Sequence, residues 1–127
     1  METLPRWMRT ALYATAVMNL AAAISFLPGA AALRAQVGLP AEAPAVYLLT
    51  VALFVGLFGV GYFWAAYTAR GERIFITMAA LGKLGFFSLL VWYWMEGSLP
   101  LRAPVLGSAD LVFSMLFFAW LFSESNR

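Results

Sequence analysis

The chain has 127 residues, 64% hydrophobic and 11% charged, with a mean hydropathy of +0.85 and a net charge of +2. A soluble domain is roughly 45–50% apolar and about 25% charged, so the composition excludes an ordinary soluble domain and makes lipid the expected solvent. Cysteine and histidine are both absent, which removes thiol chemistry, imidazole metal sites and histidine-ligated haem, and the small net charge without a basic run gives nucleic acid no handle.

The N-terminal stretch METLPRWMRTALYATAVMNLAAAISFLPGAAA imitates a signal peptide, with two arginines, an apolar run and small residues beyond it. Its apolar run is longer than a usual h-region, so it reads as an uncleaved first span from Trp7 to Leu27. Thr15 and Asn19 share one face of this span with Ala22 and Ala23. The connection that follows, PGAAALRAQVGLPAEAP, is the longest in the chain. Pro28 ends the first span, and Pro40 and Pro44 precede the second. Between them, Ala31 to Val37 reads as a short amphipathic helix on the outer surface, with Leu33 and Val37 toward lipid and Arg34 in water, either a lid or a tether.

The second span, Val46 to Tyr67, carries Gly61, Ala65 and Ala69 at every fourth position, with Gly56 and Gly59 as further small residues. Small faces let backbones approach in a membrane, so these residues are expected at helix contacts, answered by Ala79, Gly82 and Gly85 on the third span, Ile74 to Met95. The fourth span runs from Val105 to Phe122, with Gly107, Asp110 and Ser114 on one stripe. Tight turns, TARGER and EGSLPLRAP, make the second and third spans, and the third and fourth, antiparallel neighbours.

The expected fold is therefore a single all-α domain, an integral membrane up-and-down four-helix bundle. Arg6, Arg9, Arg70, Arg73 and Arg127 fall on one side against Arg34 and Arg102 on the other, which places both termini in the cytoplasm. Aromatic belts agree: Trp7, Trp64, Tyr67 and Trp120 toward the cytoplasmic interface, Tyr47, Trp92, Tyr93 and Trp94 toward the outer one. A quinone or pigment slot beside VWYWM is the sharper reading of the second group. No cofactor is evident, and bound lipid remains open beside those two.

Lys83 is the only lysine of the chain. It lies about nine residues into the third span, on the order of 14 Å from the cytoplasmic edge, so it should face the bundle interior. Asp110 is the obvious partner. Folding the hairpin about its turn, however, sets Asp110 roughly 9 Å nearer the outer surface, and side chains lean toward their own helix N-termini, which separates the two. Direct pairing then needs water, a kink at Gly82 or Gly85, or a shifted hairpin, and Ser114 is the better neighbour by depth. Thr15, Asn19, Lys83, Asp110 and Ser114 together form the candidate intramembrane polar layer. Buried lysines serve proton relays and Schiff bases, and an ionic layer also specifies helix packing; these readings stay open.

VGLP after the first span, GYFWAA closing the second, LGK in the third and GSADLVF opening the fourth resemble, in that order, small bacterial four-helix membrane proteins that are loosely DoxX-like. The resemblance picks out Gly38, Pro40, Gly61, Tyr62, Gly82, Lys83 and Asp110, and departs at Ala109, where an asparagine is expected. It implies the fold and an inner-membrane location, with no activity to carry over. The expected function is a non-catalytic accessory or structural subunit of a larger membrane complex or homo-oligomer, its partners the lipid bilayer and other membrane subunits. The alternative is a small-solute or proton-coupled transporter built on Lys83, Asp110 and Asn19.

Overall fold

The computed structural model describes residues 2–125. Helices α1 (Arg6–Ser25), α2 (Ala31–Gln36), α3 (Ala45–Thr68), α4 (Arg73–Met95) and α5 (Arg102–Ser125) account for nearly all of them, together with a 3-10 turn at Pro28–Ala30. Three of these, α3, α4 and α5, are long and apolar enough to cross a membrane. Helix α1 reaches that standard only when joined to the Pro28–Gln36 segment, which bends away from it by 92°. Arg6, Arg9, Thr10, Thr15 and Asn19 make α1 the least apolar of the four long helices.

Proline sets several helix starts. Pro5 and Pro44 stand just before α1 and α3, where their carbonyls accept from Met8 and Arg9 and from Tyr47 and Leu48. Pro104 sits in the first turn of α5, where a missing N–H breaks no intrahelical bond.

The helices associate as two pairs, α1 along α3 and α4 along α5. Glycines make the first pair close: a Cβ at Gly59 would lie 3.2 Å from the Asn19 Cβ, and one at Gly56 would lie 3.7 Å from the Ala23 Cβ. In the second pair, Leu90 of α4 fills the space that a Cβ at Gly107 would need. Helices α3 and α4 are consecutive and joined by a short turn, yet their backbones stay apart, contrary to the expectation that they pack as neighbours. An aromatic wedge separates them. Phe75 stacks on Phe58 at 5.5 Å, lies 5.6 Å from Tyr62, and covers Gly61 so closely that a Cβ there would meet its ring at 2.7 Å.

All four long helices contribute to one core, which includes Met8, Leu12, Tyr62, Ala65, Ile76, Ala79, Phe117 and Trp120. It fills the end of the molecule that holds the N-terminus. There Glu2–Thr3 pairs antiparallel with Arg70–Gly71, Leu4 N–H donates to the Ala69 carbonyl, and Leu4 and Trp120 close over Gly71. Arg9 donates to the Ala66 carbonyl and Arg73 to that of Leu121, tying α1 to α3 and α4 to α5. The Arg73 guanidinium also lies 5.7 Å from the Trp120 ring.

Several sequence expectations change here. Trp120 is fully buried instead of marking an interface, because α5 turns it into the core beneath Gly71. Trp7, Tyr47, Trp64, Tyr67, Trp92, Tyr93 and Trp94 are exposed. Gly82 and Gly85 pack against no other helix of this chain, since a Cβ at either would touch nothing within 4 Å. Ala69 is not part of a helix face. It ends α3 in the left-handed conformation, φ 57°, a position that glycine fills without steric cost. Ala69→Gly is accordingly expected to stabilise the fold by about 0.5–1 kcal/mol, read as a higher unfolding midpoint in detergent.

Candidate functional site

Lys83 is 6% exposed and Asp110 16%, and the ammonium donates to Asp110 Oδ1 across 2.8 Å. It also donates to Asn19 Oδ1 at 3.1 Å. The direct pair that depth counting disfavours is thus formed, and the register of the α4–α5 hairpin explains it. Leu90 nests on Gly107 and Ser114 donates to the Ala80 carbonyl at 2.9 Å; between these two rungs Lys83 falls level with the turn from Asp110 to Ser114. Helix α5 begins at Arg102, earlier than the expected Val105, which moves the mid-point of the hairpin toward α4, and the residual offset is within the reach of a lysine stem.

Asn19 is held by its other end. Its Nδ2 donates to the Val55 carbonyl at 3.0 Å, and Gly59 leaves room for α1 to approach at that level. The ammonium faces two rings, Tyr62 at 5.3 Å and Phe113 at 5.6 Å, close enough for cation–π attraction. Three helices therefore converge on the cation that α4 carries: α1 through Asn19, α3 through Tyr62, and α5 through Asp110 and Phe113.

The remaining two polar residues stand apart. Ser114 is spent on the Ala80 carbonyl, and the hydroxyl of Thr15 is buried without a partner. A buried hydroxyl with no acceptor costs more than the isosteric methyl that would replace it. Thr15→Val is expected to leave stability unchanged or raise it by up to about 1 kcal/mol, measured by chemical unfolding in detergent. A loss of that size would mean that Thr15 holds a polar contact.

The ion pair forms the floor of a cavity of about 560 Å³ between the two helix pairs. Its walls are Met18, Ala22, Val55, Phe58, Leu90, Leu106 and their neighbours, almost all apolar. A volume of that size lies within the range, about 300–1,000 Å³, in which small molecules bind. Toward the N-terminal end the cavity stops at Tyr62, Met78 and Ala79, with Ile76, Ala80 and Phe117 fully buried in the core beyond. Gly82 lines it, so the absence of a side chain there opens space and does not close a helix contact.

The far end is roofed by the segment after α1, where Leu33, Val37 and Leu39 face the cavity. Arg34, expected in water, is 2% exposed. Its guanidinium donates to four carbonyls: Ser25 at 3.1 Å, Leu27 at 2.6 Å, Pro40 at 3.3 Å and Ala41 at 2.8 Å. A cation on the carbonyls that end a helix is also well placed for its dipole. Gly38, at φ 84°, presses this segment onto the α4–α5 turn, where a Cβ would meet Pro100 at 2.9 Å, and Arg102 donates to the Ala35 carbonyl. The connection is a fixed roof.

Tyr62 and Phe113 beside the lysine and the pinning role of Arg34 are functional features that residue patterns alone did not assign. Tyr62 had a signal, being a polar-tipped ring in mid-span. Arg34 had none, because its partners are all backbone carbonyls. Among the described residues, no group of three or more histidine, cysteine, aspartate or glutamate side chains converges to hold a metal ion. No protein-family model, curated protein or solved structure matches the chain.

Proposed function

We propose that this chain is an integral membrane protein, an up-and-down bundle of four spans with both termini cytoplasmic, that binds a small amphipathic molecule in the cavity between its helix pairs. The observation that carries this reading is the combination of apolar walls with one concentrated polar floor: Asn19, Lys83 and Asp110 at the end of a 560 Å³ space. Three apolar helices of spanning length, exposed aromatic rings and the unequal distribution of arginines support the membrane setting. A bacterial inner membrane follows from the DoxX-like resemblance, which rests on its motifs alone. The closed core beyond Tyr62 and Ala79 favours binding over passage through the bundle, and therefore over the transporter reading.

Gly82→Phe tests the proposal, because the glycine lines the cavity and faces open space. Protein gently extracted from its native membrane is expected to carry a stoichiometric small amphiphile, detected by mass spectrometry after denaturation, and the phenylalanine variant is expected to lose it. Equal small-molecule content in both proteins contradicts the proposal.

A second reading, a packing subunit of a larger complex or homo-oligomer, is favoured by the exposed α4 face of Leu81, Gly85, Leu89 and Trp92. Its glycine would admit a foreign helix closely. The same extraction tests it, since a subunit arrives with a stoichiometric protein partner.

A further inference from the structure

The two polar groups on the cavity floor have unused hydrogen-bonding capacity of opposite kinds. The ammonium of Lys83 has three N–H groups, of which Asn19 and Asp110 take two. Asp110 accepts through Oδ1, and its second carboxylate oxygen has no donor among the described residues. A spare donor and a spare acceptor thus stand side by side, and both residues line the cavity. The floor is already balanced in charge, one cation against one anion. A third charge brought among apolar walls would have no counter-ion and would compete with one partner for the other.

Access has a direction as well. Arg34, Gly38 and Arg102 pin the roof at the far end, and the core closes the near end. Between α3 and α4 the backbones are apart, and the residues bordering that gap, Phe54 and Val51 on one side and Met78, Gly82 and Phe86 on the other, are exposed while lining the cavity. In the membrane setting proposed above, that side faces acyl chains.

From these features we propose that the cavity takes a neutral, hydroxyl-bearing lipid-soluble amphiphile, drawn from the bilayer between α3 and α4, whose hydroxyl accepts from Lys83 and donates to Asp110. A hydroxyl is the smallest head that matches both spare groups without adding charge. The inference rests on the binding function proposed above and adds the chemistry of the ligand and its route.

Three compounds with one tail test it: oleyl alcohol, oleyl sulfate and oleyl trimethylammonium, the last two charged at every pH. Each is titrated into the full-length protein, and occupancy is read as one-to-one adducts by native mass spectrometry. Oleyl alcohol is expected to bind saturably, and each charged compound to bind about tenfold or more weakly. The double variant Lys83→Met with Asp110→Leu keeps the floor filled and uncharged, and is expected to weaken oleyl alcohol binding by about tenfold or more without reordering the charged compounds ahead of it. Glycerol, which carries hydroxyls but no tail, is expected not to compete. Charged compounds binding as tightly as the alcohol, an unaffected double variant or competition by glycerol overturns the inference while leaving a binding cavity in place. If no compound forms a saturable adduct, the binding function fails with it.

Discussion

Asp110→Leu is expected to destabilise the protein by about 3–5 kcal/mol, because it strands the Lys83 ammonium in an apolar surround with only Asn19 as partner. Removing one member of a buried pair costs far more than removing both. The double variant Lys83→Met with Asp110→Leu is therefore expected to recover most of the loss and to approach the wild type. Thermal or denaturant unfolding of the wild type, Asp110→Leu, Lys83→Met and the double variant in the same detergent closes the cycle. A double variant whose loss equals the sum of the two single losses would mean that the pair contributes no coupling. The expectation depends on burial: Lys83 is enclosed by Tyr62, Phe113 and Asn19, and water has little access to an ammonium left alone there.

The second large effect belongs to the roof. Arg34→Leu takes the guanidinium from four carbonyls and leaves three of them, those of Ser25, Pro40 and Ala41, without a donor, since Leu27 still accepts from the Ala30 N–H. Each buried, unpaired polar group costs about 1–3 kcal/mol, although some of these carbonyls will turn to solvent once the segment loosens, so a total of about 3 kcal/mol is expected. The loss should be local. Limited proteolysis is expected to cut the variant between Pro28 and Pro44 while α4 and α5 stay protected. Uniform digestion would show that the roof and the helices unfold as one unit. Arg34→Lys is expected to rescue only in part, since an ammonium has three donors where the guanidinium uses four contacts.

Apolar run lengths read from the sequence place the four long helices to within a few residues of α1, α3, α4 and α5, because a span is set by length and hydropathy. What escaped was lateral arrangement. Small residues at helical spacing mark a close contact without naming its partner: Gly56 and Gly59 turned out to meet α1, Gly61 received the Phe75 ring, and Gly82 and Gly85 met nothing. Trp120 carried the pattern of an interfacial anchor, and only the position of Gly71 and Leu4 over it shows why it is inside.

The candidate site divides the same way. Lysine in an apolar span is conspicuous because its burial demands partners, and Asn19 was grouped with it in the candidate polar layer. The Lys83–Asp110 contact was misjudged because α5 begins at Arg102 and not at the expected Val105, which shifts the mid-point of the hairpin and brings Asp110 nearer the level of Lys83. Arg34 was unreadable, since an arginine that serves backbone carbonyls leaves no complementary residue in the sequence. The cavity itself is a product of the gap between α3 and α4, and no residue pattern encodes a gap.

Lys83 and Asp110 form a direct pair at the base of the cavity. The chain is unusually suited to a direct test, for Lys83 is its only lysine and Asp110 its only aspartate. Protein carrying 15N-lysine and 13C-aspartate side-chain labels in lipid bilayers gives one nitrogen and one carboxyl carbon to measure by solid-state NMR dipolar recoupling. A strong coupling is expected, matching the 2.8 Å contact between Nζ and Oδ1. A nitrogen signal with no dephasing from the Asp110 carboxyl would contradict it.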